Sequence, residues 1–122
     1  MKLNHMNLGV HDLSEAVTFF EQVFDFQLVD RKGDFIAAMN DGHGFSLVLS
    51  KLQADPDSAA PYPKDFHVGF YVDTKSEVDQ FYKKLAAFGL ASENEPRMIR
   101  AGYTLYFTAL RGILFEVTCY NL

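Results

Sequence analysis

Two histidines, His5 and His67, occupy the same place in two copies of one sequence pattern. Laying residues 4–24 on residues 66–86, at an offset of 62, pairs His5 with His67, Val10 with Val72, Ser14 with Ser76, Glu15 with Glu77 and Phe19 with Phe81, five identities in 21 pairs. A polar residue repeated inside an apolar stretch demands a chemical reason. Glu116 poses the same question inside Leu114-Phe115-Glu116-Val117. Burying such groups without partners is costly, whereas two neutral imidazoles and one carboxylate suit a divalent first-row metal and leave coordination positions open for a substrate.

The elements that must position these residues follow from periodicity. Residues 3–10 alternate, with Met6, Leu8 and Val10 on one face and His5, Asn7 and Gly9 on the other, which predicts a half-apolar strand. Asp12 with Glu15 forms a capping box ahead of Ala16, Phe19, Phe20, Val23 and Phe24 at helical spacing, so a helix runs to about Phe24. Extended segments are expected at 27–31, 35–40 and 45–50, separated by Lys32-Gly33 and by residues 40–44. Residues 51–65 carry Pro56, Pro61 and Pro63 and read as a connector. The second half repeats the order: a strand at 66–72, a capping box from Thr74 to Glu77, a helix through Leu85, then strands near 93–99, at 103–109 and at 113–120. The expected organisation is one domain over 1–122, with module 1 at about 3–50, the linker at about 51–65 and module 2 at about 66–120.

At 122 residues, with 48% hydrophobic and 22% charged residues, the composition is globular. No apolar run reaches the roughly 20 residues of a membrane span, and no secretory leader is evident, so a cytoplasmic protein is expected. The lone Cys119 fits a reducing compartment. A net charge of −5 argues against nucleic acid or an anionic membrane as partner and leaves a small molecule as the expected ligand.

Two β-α-β-β-β modules with a His in each first strand resemble the vicinal oxygen chelate superfamily, which includes glyoxalase I, extradiol dioxygenases, fosfomycin-resistance transferases and bleomycin-binding proteins. The resemblance rests on Leu3-Asn4-His5-Met6-Asn7-Leu8-Gly9-Val10-His11-Asp12-Leu13, on Phe66-His67-Val68-Gly69-Phe70-Tyr71-Val72, and on the closing segment from Leu105 to Val117. Ala109-Leu110-Arg111-Gly112 replaces the family's usual turn but keeps its Gly and the later Glu. The implied fold is α+β, two βαβββ modules whose mixed sheets curl into a cup with flanking helices. The cup would hold a metal and substrate.

Strand parity then turns His5, Asn7 and Gly9, with His67, Gly69 and Tyr71, toward the cup, and Glu116 with Thr118 beside them. The resemblance implies His5, His67 and Glu116 as ligands of a divalent ion, Fe, Mn, Zn or Ni. Four-ligand members carry a further Glu or Gln where alignment of 44–49 with 112–117 puts Val48. Its absence argues against glyoxalase I chemistry and for the three-ligand branches. In the fosfomycin branch Tyr106 and Thr104 match positions that hold the phosphonate. Against that substrate, Asn7 replaces a first-strand Thr, potassium-loop serines are not evident around Arg100 to Tyr103, and the sequence ends before the branch's C-terminal Arg.

Arg97, Arg100 and Arg111 are candidates for an anionic substrate group, Arg100 first, against the alternative of ordinary solvated charge. Phe35, Phe45, Tyr71, Tyr103 and Tyr106 are candidate pocket aromatics, although most aromatics at strand spacing are core; Tyr71 and Tyr106 share parity with the ligand face, which ranks them above the others. His11 and His43 are read as turn residues. The expected function is a metal-dependent lyase, dioxygenase or transferase acting on a small oxygen-rich substrate. Glu116 and Tyr106 would act at the reacting centre, and Asn7, Tyr71, Arg100, Tyr103 and Thr104 would bind substrate. A homodimer sharing its sites is expected from the resemblance. The alternative is a metal-free binding protein of the bleomycin-resistance type.

Overall fold

The structure, a computed structural model, describes residues 1–53, 62–90 and 94–121. The chain divides into two compact units, Met1–Ser58 and Ala59–Leu122. Unit 1 runs β1 (His5–Val10), α1 (Leu13–Phe24), β2 (Gln27–Lys32), β3 (Ile36–Asn40) and β4 (Ser46–Lys51). Its sheet has the order β1-β4-β3-β2, with β1 parallel to β4 and the other pairs antiparallel. Asp12 caps α1 by accepting a hydrogen bond from the Glu15 amide at 3.0 Å, as the capping box predicts. Asp25 ends the helix at φ 60°. The apolar stripe Leu13, Ala16, Val17, Phe20 and Val23 is buried, and α1 lies against β2, β3 and β4, whose facing residues include Ala37, Met39, Leu47 and Leu49.

Unit 2 repeats the plan: β5 (His67–Tyr71), α2 (Lys75–Ala87), β6 (Arg97–Ile99), β7 (Gly102–Ala109) and β8 (Ile113–Cys119), in the sheet order β5-β8-β7-β6 with β5 parallel to β8. Thr74 caps α2 reciprocally with Glu77: its hydroxyl accepts from the Glu77 amide and donates to the Glu77 carboxylate, both at 3.1 Å. Leu105, Phe107, Ile113, Phe115, Val117 and Cys119 form the buried face of β7 and β8, which packs on α2 through Val78 and Leu85. Phe107 stacks on Phe115 at 5.3 Å. Each large buried side chain contributes about 1.5–3 kcal/mol. Leu110 and Arg111, at φ 52° and 61°, with Gly112 at φ 122°, turn β7 into β8.

Both units are α+β, each a four-stranded mixed sheet with one helix. Most expected strands differ from the observed ones by a residue or so at either end. The connector's Pro56 and Pro61, and the start of the strand expected near 93, lie outside the described residues; within them β6 covers only Arg97–Ile99. No helix among the described residues is long and apolar enough to cross a membrane. The duplication extends to register: Asn7 pairs with Val48 as Gly69 pairs with Glu116, and Ala38 pairs with Val48 as Tyr106 pairs with Glu116.

Candidate functional site

Alternation along β8 sends Phe115 and Val117 to the helix side and turns Glu116 to the other face, beside the first residue of β5. There His67 Nε2 stands 3.3 Å from Glu116 Oε2. The second ring nitrogen of His67, Nδ1, lies 2.8 Å from the Asp65 carbonyl oxygen. A carbonyl only accepts, so Nδ1 carries a proton and donates it. Asp65 reaches this position from a left-handed backbone, φ 68°. With Nδ1 so committed, Nε2 is the ring atom left to face the carboxylate, which has only lone pairs to offer when ionised. A proton or a cation between them is what satisfies both.

Two hydroxyls contact Glu116, and a third backs one of them. Thr118 donates to Oε1 at 2.9 Å, and Thr118 Oγ1 is itself 3.1 Å from Thr104 Oγ1. Tyr106, the cross-strand partner of Glu116, is hydrogen-bonded to it. Burial, then the Glu116 charge and that hydrogen bond, hold the Tyr106 phenol above the usual tyrosine value, with the Arg100 charge pulling the other way. Tyr106 is thus kept as a donor. His67, Arg100, Tyr106, Glu116, Thr118 and Tyr120 line a cavity of about 810 Å³ within unit 2. Arg100 enters it from a left-handed turn residue, φ 55°, and makes no hydrogen bond or ion pair with another described residue.

Unit 1 holds the other copy of the histidine. His5 Nδ1 is 2.7 Å from Asn4 Oδ1, which places its proton on Nδ1 too and leaves Nε2 as the available donor atom. The residues that would complete a carboxylate site there are missing: Val48 occupies the register position of Glu116, and Ala38 that of Tyr106. Within neither unit do the described residues gather three or more His, Cys, Asp or Glu side chains able to hold a metal.

The structure brings His67, Glu116, Tyr106, Arg100 and Thr104 to one cavity. Thr104 is buried to 2% exposure and its hydroxyl is engaged with Thr118 and the Gly102 carbonyl, so it supports the wall rather than offering a contact to substrate. Tyr103 departs from expectation. Being one residue from Thr104 it faces the helix side, where its hydroxyl donates to Asp79 of α2 at 2.6 Å and Lys75 lies over its ring. Tyr71 lies outside the lining but stacks at 5.8 Å on Tyr120, which belongs to it. Asn7 is exposed on β1 of unit 1. Sequence reasoning missed Tyr120 and the Asp65 carbonyl, and placed Thr118 on the right face without recognising it as a buried donor. For Thr118 a signal existed, its two-residue spacing from Glu116; for a backbone carbonyl there is none.

The model of the Glyoxalase/Bleomycin resistance protein/Dioxygenase superfamily matches residues 2–117. A solved structure described as a "possible glyoxalase" from Bacillus cereus superposes with a TM-score of 0.84 at 34% identity, covering 98% of this chain and 99% of that one. Metallothiol transferase FosB of Lysinibacillus sphaericus is 30% identical over 115 residues, 93% of this chain and 79% of its own length. Fosfomycin resistance protein FosX of Listeria monocytogenes is 25% identical over 119 residues, 94% of this chain and 86% of its own. A FosX variant structure with Mn(II) and 1S,2S-dihydroxypropylphosphonic acid superposes with a TM-score of 0.76 at 18% identity, covering 97% of this chain and 88% of that one.

Proposed function

The chain belongs to the Glyoxalase/Bleomycin resistance protein/Dioxygenase superfamily, and on that premise we propose that it is a metal-dependent enzyme acting on a small, oxygen-rich, anionic substrate. One observation carries the reading: His67 Nε2 and Glu116 Oε2 face each other at 3.3 Å while the His67 proton is held on the far side of the ring by the Asp65 carbonyl. A divalent cation satisfies both lone pairs at once, and the donor types suit Mn, Fe, Zn or Ni. The Mn(II) in the FosX structure makes manganese the first ion to test.

His67 and Glu116 would hold the ion, with His5 of a second copy as third ligand in a homodimer that shares its sites. Such an ion supplies Lewis-acid polarisation of a chelated substrate oxygen. Tyr106, held protonated, donates a hydrogen bond at the cavity wall beside Glu116. Arg100 offers a guanidinium to a carboxylate or phosphonate group, in line with the names of FosX and FosB. With Asn7 where the fosfomycin branch has Thr, the reading stays at the class of small oxygen-rich anions. Cytoplasmic location belongs to the same proposal, with Cys119 a buried free thiol.

Elemental analysis of protein purified without chelator tests the metal. One ion per chain is expected in the wild type and loss of it in His5→Ala and Glu116→Gln; no stoichiometric ion would leave the metal-free binding reading in its place. Mixing the two variants tests the sharing. In a shared-site dimer each mixed pair regains one intact site, whereas ligands drawn from one chain give no recovery.

A further inference from the structure

Thr104 and Thr118 are the buried polar side chains among the described residues, at 2% and 3% exposure, and they stand as a cross-strand pair immediately behind Glu116. We infer that Thr118, backed by Thr104, is a positioning residue that occupies Glu116 Oε1 and so presents Oε2 to the metal shared with His67. The inference rests on the metal-binding reading above.

The direction of the hydrogen bonds is forced. An ionised carboxylate only accepts, so the single Thr118 proton goes to Glu116 Oε1 over 2.9 Å. Thr118 Oγ1 is then left to accept from Thr104, whose one proton has two alternative acceptors, Thr118 Oγ1 at 3.1 Å and the Gly102 carbonyl at 3.3 Å. Packing fixes the Thr118 rotamer. A Cβ built on Gly102 would stand 2.5 Å from Thr118 Cγ2 and 3.1 Å from the Tyr120 ring, so the methyl is seated on bare glycine backbone while the hydroxyl points at the carboxylate. Of the two carboxylate oxygens, the one without the threonine is the one at the imidazole. Unit 1 offers an internal contrast: where the carboxylate has become Val48, the register positions of Thr104 and Thr118 hold Ile36 and Ser50. Ser50 keeps a hydroxyl at the Thr118 position, while the buried backing threonine is replaced by Ile36.

Thr118→Val is close to isosteric, keeps the methyl against Gly102, and leaves Thr104 with the Gly102 carbonyl as acceptor, so it orphans no buried donor. Calorimetric titration of the metal-free full chain with Mn(II) is the assay. Thr118→Val should weaken Mn(II) binding by about 10- to 100-fold, the usual effect of removing a ligand's outer partner. Thr118→Ser, which restores the hydroxyl, should bind within about threefold of wild type. Thr104→Val, one step further back, should show a smaller loss in the same direction and serves if Thr118→Val does not fold. Mn(II) binding by Thr118→Val at wild-type affinity, or an equal loss in Thr118→Ser, overturns the positioning role. A wild type that takes up no Mn(II), Zn(II), Fe(II) or Ni(II) fails the metal reading itself, and the inference falls with it.

Discussion

Replacing Glu116 by Gln should move thermal stability in opposite directions with and without metal. In the metal-free protein, at a pH where the His67 ring has lost its second proton, His67 Nε2 and Glu116 Oε2 are two acceptors 3.3 Å apart. The Gln amide can keep its oxygen under the Thr118 hydroxyl and turn its NH2 toward Nε2, converting a clash of lone pairs into a hydrogen bond. Such a bond contributes about 0.5–1.5 kcal/mol. With an unfolding entropy of about 2.1 cal/mol/K per residue, each kcal/mol moves the Tm of a cooperatively unfolding 122-residue chain by about 4 °C. Metal-free Glu116→Gln should therefore melt about 2–6 °C above the metal-free wild type. Mn(II) at one hundred times its dissociation constant contributes about 2.7 kcal/mol, a rise of about 10 °C in the wild type. A variant binding about a hundredfold more weakly at the same concentration gains only about 0.4 kcal/mol, roughly 2 °C. Differential scanning calorimetry with and without Mn(II) reads all four values. Equal Mn(II)-induced rises in both proteins, or a lower metal-free Tm in the variant, would refute the facing-acceptor argument.

The Tyr62, Tyr103 and Tyr106 phenols are all raised in the fold. The native state therefore keeps protons that the unfolded chain releases above about pH 10, and urea midpoints should fall as the pH is raised past that value. Ultraviolet titration of Glu116→Gln should show the Tyr106 ionisation moving down toward the ordinary value, since the Glu116 charge disappears while burial stays. Arg100→Gln should push Tyr106 further up and weaken inorganic phosphate binding to the Mn(II)-loaded protein about tenfold by calorimetry. Thr74→Ala, which removes both capping-box bonds of α2, should lower stability by about 1 kcal/mol and Tm by about 4 °C in a thermal melt.

Features set by near neighbours in the chain were legible in the sequence. Asp12 with Glu15 and Thr74 with Glu77 cap their helices because a cap needs only three consecutive peptide units to form. The loss of the second carboxylate at Val48 was legible because duplication supplies an internal reference, and the strand registers agree with it. Tyr103 was legible only in part: its parity, opposite to that of Thr104 and Tyr106, puts it on the other face of β7, but its hydroxyl partner, Asp79, lies 24 residues away on a helix. Thr104 and Thr118 were obscured for another reason. Threonine is common in strands on propensity alone, so its type does not reveal a buried hydroxyl aimed at a carboxylate.

The parallel pairing of β5 with β8 also sets when the site comes into being. His67 opens the sheet of unit 2 and Glu116 lies in its final strand, 49 residues later. No hairpin brings them together; their pairing closes the longest loop of the unit, the kind of non-local contact that is gained late because chain entropy is lost before the contact returns any energy. A partly folded chain that held only α2 and the β7–β8 hairpin would lack the donor pair. A growing polypeptide would present no high-affinity trap for stray cations until its last strand had docked, and metallation would act as a seal on finished molecules rather than a scaffold for unfinished ones.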